Sequence, residues 1–284
     1  ISDTSPELWI VRILARLILA GSLQMRGQLE DAYGAIFSGL EVEEVSSSRF
    51  KAIVLSTVCH VYWVAADLQN LRQAAEQSLG FSSGQGMPEF EGWGHYHLAC
   101  ARYHWNDLAA AERHFAAVAH EPYLNYGLCY LHSACGLALT YLAQGRAEEA
   151  RGTAVSAVDF MLEAGNTTLL PIAQSFQVEL MLREGRIAAA GEWANRFDSL
   201  PALVPQADFY SPQLTLVKAW LAQDSAASRQ RADAQLGRMQ EFFEYTHNTR
   251  FLIEVGRIPK ISRYLATVRL ATFTPFALSI SETF

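Results

Sequence analysis

The sequence lacks the cysteine patterns that mark disulfide-rich and thiol-based proteins. Among its 284 residues there are only four cysteines, and no two of them have C-x-x-C spacing. They are Cys59, Cys100, Cys129 and Cys135. Each lies in an apolar stretch, where a reduced thiol packs as a small hydrophobic group. This usage fits a reducing compartment, and we expect a cytoplasmic protein.

Long apolar runs are also missing. The most hydrophobic N-terminal stretch, residues 9–23, is interrupted by Arg12 and Arg16 and is shorter than the ~20 residues that a membrane span needs. It predicts an amphipathic helix rather than an anchor. No signal-peptide pattern precedes it, and because the chain starts at Ile1 and not at methionine, we expect a piece of a longer protein.

Basic charge is scarce. The formal net charge is -7, so there is no positive field to attract nucleic acid, and we expect no direct nucleic-acid contact from this chain. Neither a G-x-x-x-x-G-K-[ST] phosphate loop nor a Gly-x-Ser-x-Gly elbow occurs. We therefore expect a protein that is not an enzyme and that carries no cofactor.

What the sequence does contain is a repeat. Residues 142–150 are LAQGRAEEA, and residues 182–190, forty positions later, are LREGRIAAA. Glycine or asparagine at such a turn suits the left-handed conformation that ends a helix. A fixed period of this size is typical of stacked helical repeats, which are binding scaffolds. Turn positions spaced 39 or 40 residues apart are Gly27, Ala66, Asn106, Gly145, Gly185 and Asp224, of which Ala66 and Asp224 match least well.

The positions around these turn residues test the alignment independently. The residue seven before each turn is apolar in all six units, and so is the residue two after it. Five and nine after the turn the pattern fails only in the sixth unit, at Arg229 and Asp233. Because the intervals are helical steps of three or four, each unit predicts a helix, a tight turn and a helix. We expect six such hairpins between about Pro6 and about Tyr245.

The last 29 residues differ from the repeat. Residues 256–284 carry a net charge of +3 while residues 1–255 carry -10, and no further turn residue follows at the expected distance. Two interpretations are open: a segment that caps the last hairpin, since repeat arrays need atypical ends, or a sequence foreign to the repeat. We therefore divide the chain into a repeat superhelix, 1–255, and an atypical C-terminal tail, 256–284.

The turn pattern, with small residues at the helix crossings, resembles the tetratricopeptide repeat, whose usual period is ~34 residues. The longer period here resembles the tetratricopeptide-like sensor domain of MalT-like, LuxR-type, ATP-dependent bacterial transcription regulators. The segments that carry this resemblance are 94–118, 131–166 and 173–194. It extends over about residues 8–255, and it implies an all-α fold, a right-handed α-solenoid of about six tetratricopeptide-like hairpins.

The resemblance also implies a function. In that family an ATPase switch precedes the superhelix and a helix-turn-helix domain follows it, and neither is present in this chain. The implied role is a non-catalytic bacterial sensor domain that binds a small-molecule effector, or a regulatory protein or peptide, in its concave groove. The alternative is a free-standing tetratricopeptide-like scaffold for protein–protein interaction. The identity of the effector and the oligomeric state stay open.

Candidate ligand-binding residues follow from the same resemblance, which places concave positions at fixed distances before each turn. Such a groove would be aromatic and weakly polar, which suits a sugar ring, an aromatic metabolite or a peptide. Packing between neighbouring repeats is the alternative for each side chain. We expect no metal, because His95 and His97 diverge on a helix. The candidates are His60, Trp63, Trp93, Tyr96, Tyr103, His104, His132 and Glu179.

Overall fold

The computed structural model describes residues 9–37, 48–197 and 208–267, and within these ranges the chain forms thirteen α-helices and no strand. The all-α prediction is confirmed, as is the helical-repeat architecture, while the handedness of the superhelix stays a prediction. The helices are α1 Trp9–Met25, α2 Leu29–Phe37, α3 Ser48–Val64, α4 Leu68–Ser82, α5 Pro88–His104, α6 Leu108–Ala119, α7 Gly127–Ala143, α8 Ala147–Glu163, α9 Leu170–Arg183, α10 Ile187–Arg196, α11 Pro212–Gln223, α12 Ala226–Tyr245 and α13 Thr249–Thr267.

The six predicted turn residues all end a first helix of a hairpin. Each has a positive φ, between 53° and 80°, including the poorer matches Ala66 and Asp224. In the first five turns two hydrogen bonds close the helix end, as in Gly145 N–H to Leu142 O at 3.0 Å and Arg146 N–H to Tyr141 O at 2.8 Å. These bonds satisfy the last carbonyls of the helix, which is the reason for the left-handed residue. The predicted period is therefore confirmed turn by turn.

The core follows the predicted columns. The residue seven before each turn is at most 4% exposed in all six units. Five and nine after the turn the side chains are equally buried from the first unit to the fifth. Each helix packs on the next along the chain, and the first helices also pack on one another, as α3 does on α5 and α5 on α7. The small side chains at these columns allow the helices to approach closely.

The sixth unit departs from this register by one residue. Arg229 and Asp233, which occupy the expected core columns, are exposed, and Ser228 and Ala232 are buried in their place. The apolar pattern of the sequence fails at these two positions because the buried positions of α12 lie one residue earlier than in the other units. The sixth unit is a genuine hairpin with a shifted core face.

The cause of the shift is the residue after the sixth turn. Ser225 has ψ 156°, whereas the equivalent residues Asp67, Asp107, Arg146 and Arg186 have ψ between 57° and 78°. The second hydrogen bond of the turn is absent here, and the Ser225 N–H bonds instead to the hydroxyl of Ser228 in a reciprocal capping box. This rotates α12 relative to the second helices of the other units.

The last described helix crosses the boundary that we placed between residues 255 and 256. Val255 and Ile258 lie on either side of that boundary, both buried with Phe243 and Phe251 in one hydrophobic cluster. Helix α13 follows a turn at His247, with φ 52°. This turn ends a second helix, so a search for turns at the end of first helices does not predict it. Residues 268–284 lie outside the described part of the chain, where both interpretations of the tail stay open.

The array returns to its own beginning. Helix α13 packs on α3 as well as on α11 and α12. Gln24, in the last turn of α1, donates a hydrogen bond of 3.1 Å to the main-chain carbonyl of Thr246. The first helices α3, α5, α7, α9, α11 and α13 thus surround a common interior. In the described ranges no helix combines the length and the hydrophobicity that crossing a membrane requires.

Candidate functional site

A short stretch of the chain itself lies among the first helices. It comprises residues 208–211, immediately before α11, and we call it the inserted segment. Arg250 on α13 donates hydrogen bonds of 2.6 Å to the main-chain carbonyls of Asp208 and Phe209, and the indole of Trp63 donates to the Asp208 carbonyl at 3.4 Å. Because these contacts use main-chain atoms, side chains of α3 and α13 hold the segment as they would hold an extended peptide.

The first aromatic side chain of the segment enters a cage of rings. The ring of Phe209 lies parallel to Trp63, with 6.3 Å between centroids, and meets Tyr103 and Phe115 edge-on at 5.3 Å. His104 completes the cage at 6.2 Å. Edge-to-face arrangements at these distances are the favourable ones for aromatic pairs. The cage joins α3, α5 and α6 through one buried side chain.

The second aromatic side chain of the segment enters a polar pocket. The hydroxyl of Tyr210 donates to Ser175 at 3.1 Å and lies 2.7 Å from the hydroxyl of Thr215. Its ring meets Phe176 edge-on at 5.0 Å. Burial, together with the charge of Glu179, raises the pKa of Tyr210 well above its ordinary value. The phenol is therefore a neutral hydrogen-bonding group at this place.

His132 contacts two residues of the inserted segment, Asp208 and Tyr210. The main-chain N–H of Tyr210 donates to Nδ1 of His132 at 3.4 Å. Nε2 of the same ring lies 3.1 Å from the carboxylate of Asp208. The His132 side chain is 2% exposed, so it contacts protein groups rather than solvent. One buried histidine thus faces a main-chain donor on one side and a carboxylate on the other.

A buried carboxylate lies beneath the tyrosine. Glu179 on α9 is 2% exposed, and its oxygens accept hydrogen bonds of 2.8 Å from Lys218 and Thr215 and of 3.0 Å from Arg183. Burial acts to raise the pKa of Glu179, but Lys218 and Arg183 outweigh it and lower the pKa to about 2. A carboxylate so surrounded stays ionised, and it fixes α9 against α11.

The eight candidate residues fall into two groups. Five belong to the surroundings of the inserted segment: Trp63, Tyr103 and His104 pack on Phe209, His132 bonds to the segment directly, and Glu179 reaches it through Thr215. The other three pack around His97, with His60 4.8 Å and Trp93 5.7 Å from that ring, and Tyr96 at 5.1 Å. The structure therefore brings the predicted residues close together, and their ligand-binding role stays a prediction.

The second group is a buried histidine cluster. His97 is fully buried, its Nδ1 lies 2.8 Å from the Trp93 carbonyl, and its Nε2 has no hydrogen-bond partner among the described residues. Burial and the neighbouring His60 lower the pKa of His97 well below its ordinary value. A neutral imidazole among these aromatic rings acts as a flat packing group between α3 and α5.

Other residues of the site were not predicted from the sequence. Phe209 and Tyr210 precede α11 and lie outside the helical columns, and Arg250 lies beyond the six aligned units. The adjacent aromatic pair of Phe209 and Tyr210, shortly before the proline that starts α11, is a signal that could have pointed to a buried segment. Nothing in the local sequence around Arg250 marks it as buried.

A pocket lies at the edge of this site, between α3, α5 and α13. It is small, with a cavity volume of about 20 Å³, enough for one or two water molecules. Its polar lining consists of His104, Arg250, Glu254 and Arg257, and the ring of Trp63 forms one wall. The remaining lining residues are apolar: Ala66, Leu68 and Ile253.

Metal-binding geometry is not found in the parts of the chain that the structure describes. No three His, Cys, Asp or Glu side chains converge there. His95 and His114 come within 2.9 Å of each other through their Nδ1 atoms, and this close pair includes no third ligand in the described ranges. The four cysteines are free and buried, and burial raises the pKa of Cys59 and Cys100. They lie in the helix packing rather than in the site.

The comparison with protein families gives a match. A sequence model described as the MalT-like TPR region, where TPR stands for tetratricopeptide repeat, matches residues 3–256. The match extends from before α1 into α13, and so includes every residue of the site except Arg257. The comparisons with curated proteins and with solved structures give no match.

Proposed function

The chain belongs to the MalT-like TPR family, and from that premise we propose that it is the effector-binding sensor domain of a LuxR-type bacterial transcription regulator. It binds a small-molecule effector or a regulatory protein among its first helices, in the cytoplasm. Helical-repeat domains of this type are generally non-catalytic, so the chemistry of the regulator resides in an ATPase and a DNA-binding module outside this chain. This domain contributes recognition.

The observation that supports this proposal is the distribution of buried polar side chains. On the second helices α2, α4, α6, α8, α10 and α12 the buried polar residues are serines alone, Ser78, Ser82 and Ser228. The first helices bury hydroxyl, amide, imidazole, carboxylate and guanidinium groups, among them Glu179 and Arg250. Buried polar groups cost free energy unless they are paired, so an interior lined with them suits recognition of a polar partner.

The proposed mechanism is a shift of population between arrangements of the first helices. A ligand that contacts several of them at once favours the arrangement that it binds best, by the difference in its affinity for the two states. Here the surroundings of the inserted segment already join α3, α5, α7, α9, α11 and α13. A ligand that contacts the side chains around the segment therefore acts on several hairpins and not on one.

The test is a thermal-shift screen of sugars, amino acids and aromatic metabolites, since a ligand that binds only the folded state raises the melting temperature. The affinity of any hit is then measured by calorimetry on Trp93→Ala, on Tyr103→Ala, and on Tyr245→Ala as control, because Tyr245 is 78% exposed on α12. We expect the first two changes to weaken binding at least tenfold. A hit whose affinity neither of them alters would contradict the assignment of the site.

The alternative function, a scaffold that binds a peptide, is favoured by one observation. The first helices already hold four residues of non-helical chain through main-chain carbonyls and two aromatic side chains. A synthetic peptide with the sequence of residues 208–214, DFYSPQL, tests this function on Phe209→Ala, in which the cage is empty. Saturable binding of this peptide, with no response to any small molecule, would favour the scaffold over the sensor.

A further inference from the structure

The outer face of α1, the first described helix, exposes apolar side chains. Val11, Ile18 and Leu19 are 57%, 70% and 49% exposed, and Ala15 and Met25 on the same face are exposed as well. Their spacing of three, four or seven residues places them on one stripe along about four turns of the helix. A helix that ends a repeat array normally has a polar outer face, because nothing covers it. An apolar stripe at this place instead marks a protein contact.

The equivalent face of the other first helices is an interface within the chain. The residue twelve before the turn and the residue five before it are buried in all units from the second to the sixth. A β-carbon on Gly94, twelve before its turn, would lie 3.3 Å from Cβ of Leu79 on α4. One on Gly136, nine before its turn, would overlap the ring of Phe115 on α6. This face of a first helix therefore packs on the second helix of the preceding unit.

In α1 the same positions are open to solvent. Ala15, Ile18 and Leu19 lie twelve, nine and eight before Gly27, and all three are exposed. Eight before the turn, four of the five later units have a leucine or valine that is at most 4% exposed: Val58, Leu98, Leu137 and Leu216. The face of α1 thus has the residues of the repeated interface without its burial. Its shape fits one more helix, lying on α1 as each second helix lies on the next first helix.

The charges of α1 indicate which kind of helix fits. α1 contains Arg12 and Arg16 and no acidic residue, and Arg26 is exposed directly after its end. A second copy of α1 in this place would bring arginines together without a carboxylate, which opposes self-pairing. A helix that carries acidic side chains beside an apolar stripe has the complementary charge, which favours its docking.

From this arrangement we propose that the outer face of α1 binds an acidic amphipathic helix of a partner protein, which packs its apolar stripe on Val11, Ile18 and Leu19. The inference goes beyond the sensor function, because none of the candidate effector-binding residues lies on α1. The partner helix is added outside the array, so the units between Gly27 and His247 stay as they are.

The probe for this surface is a synthetic peptide with the sequence of α8, residues 147–163. It is an acidic second helix, with four carboxylates and one arginine. A hydrocarbon link between positions 152 and 156, both exposed in the protein, keeps it helical, since a peptide of this length is only partly helical by itself. Fluorescence anisotropy of the labelled peptide measures its dissociation constant for the full chain.

We expect the double variant Ile18→Gln, Leu19→Gln to weaken binding of this peptide at least tenfold, because it removes the two central apolar contacts. A version of the peptide with its four carboxylates replaced by amides should bind at least threefold more weakly at low salt, and this difference should shrink as salt is added. The matched control is the double variant Val155→Gln, Leu162→Gln, which removes two apolar side chains that are 49% and 57% exposed on α8. It should leave the affinity unchanged.

Absence of saturable peptide binding, or equal effects of the two double variants, would overturn the proposal. Dimerisation of the wild type in sedimentation equilibrium that is lost with Ile18→Gln, Leu19→Gln would overturn it too, since the face would then bind a second copy. Both double variants are checked for an unchanged urea midpoint, which is expected because all four side chains are exposed. A small-molecule effector that binds both variants as it binds the wild type leaves the sensor function standing in every case.

Discussion

The imidazole of His247 lies against Gly27, at the place where any other residue would carry its β-carbon. A β-carbon on Gly27 would overlap Nε2 of that ring. The first turn of the array and the turn before α13 are therefore in direct contact, beside the hydrogen bond from Gln24 to Thr246. The contact of these turns makes Gly27 different from the other turn glycines.

We expect Gly27→Ala to destabilise the protein more than Gly185→Ala. Both glycines have nearly the same φ, 75° and 77°, so the cost of placing alanine in the left-handed region is about 1–2 kcal/mol in each case. A β-carbon at Gly185 meets nothing within 4 Å, whereas at Gly27 it displaces the imidazole. We therefore expect Gly27→Ala to lose about 1 kcal/mol more unfolding free energy than Gly185→Ala, and urea denaturation of both variants measures this difference.

The source of that excess is checked with a double-mutant cycle. In a His247→Ala background the ring is absent, and the difference between the two glycine substitutions should disappear. If the difference persists without the ring, the contact between the turns is not its cause.

We expect Phe209→Ala to destabilise the fold by about 3–5 kcal/mol, because it leaves a ring-sized cavity in the aromatic cage. Phe209 is 6% exposed, whereas Tyr245 is 78% exposed, so Tyr245→Ala should stay within about 0.5 kcal/mol of the wild type. Benzene added to the Phe209→Ala variant should restore part of the melting temperature, since apolar cavities of this kind bind apolar molecules. Equal stability of the two variants would mean that the inserted segment does not occupy the cage in solution.

The acid stability of the protein should depend on Glu179. Its folded-state pKa, about 2, lies below the ordinary value of 4.5, so its contribution is fully present above about pH 4.5 and is lost as the pH falls toward 2. We expect Glu179→Gln to cost on the order of 2 kcal/mol at pH 7, with the difference from wild type shrinking across that window. Urea denaturation at a series of pH values measures it.

The control for this titration is Glu148→Gln. The Glu148 side chain is 84% exposed, and its ion pair with Arg151 at 2.7 Å lies at the surface, where such pairs contribute little. Its effect should be small at every pH. A pH-independent effect of Glu179→Gln would show that the carboxylate is not held ionised by Lys218 and Arg183.

One substitution is expected to stabilise the protein. Asp67 and Asp107 cap α4 and α6 by accepting a main-chain hydrogen bond, whereas Arg186, in nearly the same conformation before α10, makes no such bond. Arg186→Asp should therefore add a cap and about 0.5–1 kcal/mol, with Arg186→Ala as the control that removes the arginine alone. A melting temperature no higher for Arg186→Asp than for Arg186→Ala would contradict this expectation.

The parts of the fold that the sequence predicts are those that depend on neighbours along the chain. The left-handed turns at Ala66, Asn106 and Asp224 and the buried columns of the first five units follow from local geometry and spacing, and the structure confirms them. Helix α13 was missed because the turn at His247 ends a second helix and has no counterpart in the aligned units. The shift in the sixth unit depends on one torsion angle at Ser225, which composition does not reveal.

The site was predictable only in part, for a related reason. Trp63, Tyr103 and His132 lie on a regular helical face, so the resemblance to tetratricopeptide repeats could place them together. Phe209 and Arg250 reach the same interior from a loop and from beyond the aligned repeats, over contacts of long sequence separation. No periodic pattern connects these two residues to the repeat. The periodicity therefore predicts the interior surface but not the segment that lies in it.

An open repeat array can gain or lose whole units with only local effects on packing, because each unit contacts only its neighbours. In this protein the hydrogen bond from Gln24 to Thr246 and the packing of α13 on α3 connect units that are far apart in the chain. Inserting or deleting one hairpin would carry His247 away from Gly27 and Arg250 away from Trp63. The number of hairpins is therefore fixed by closure, as the number of strands is fixed in a closed barrel, and the domain cannot lengthen by duplication as an open solenoid does.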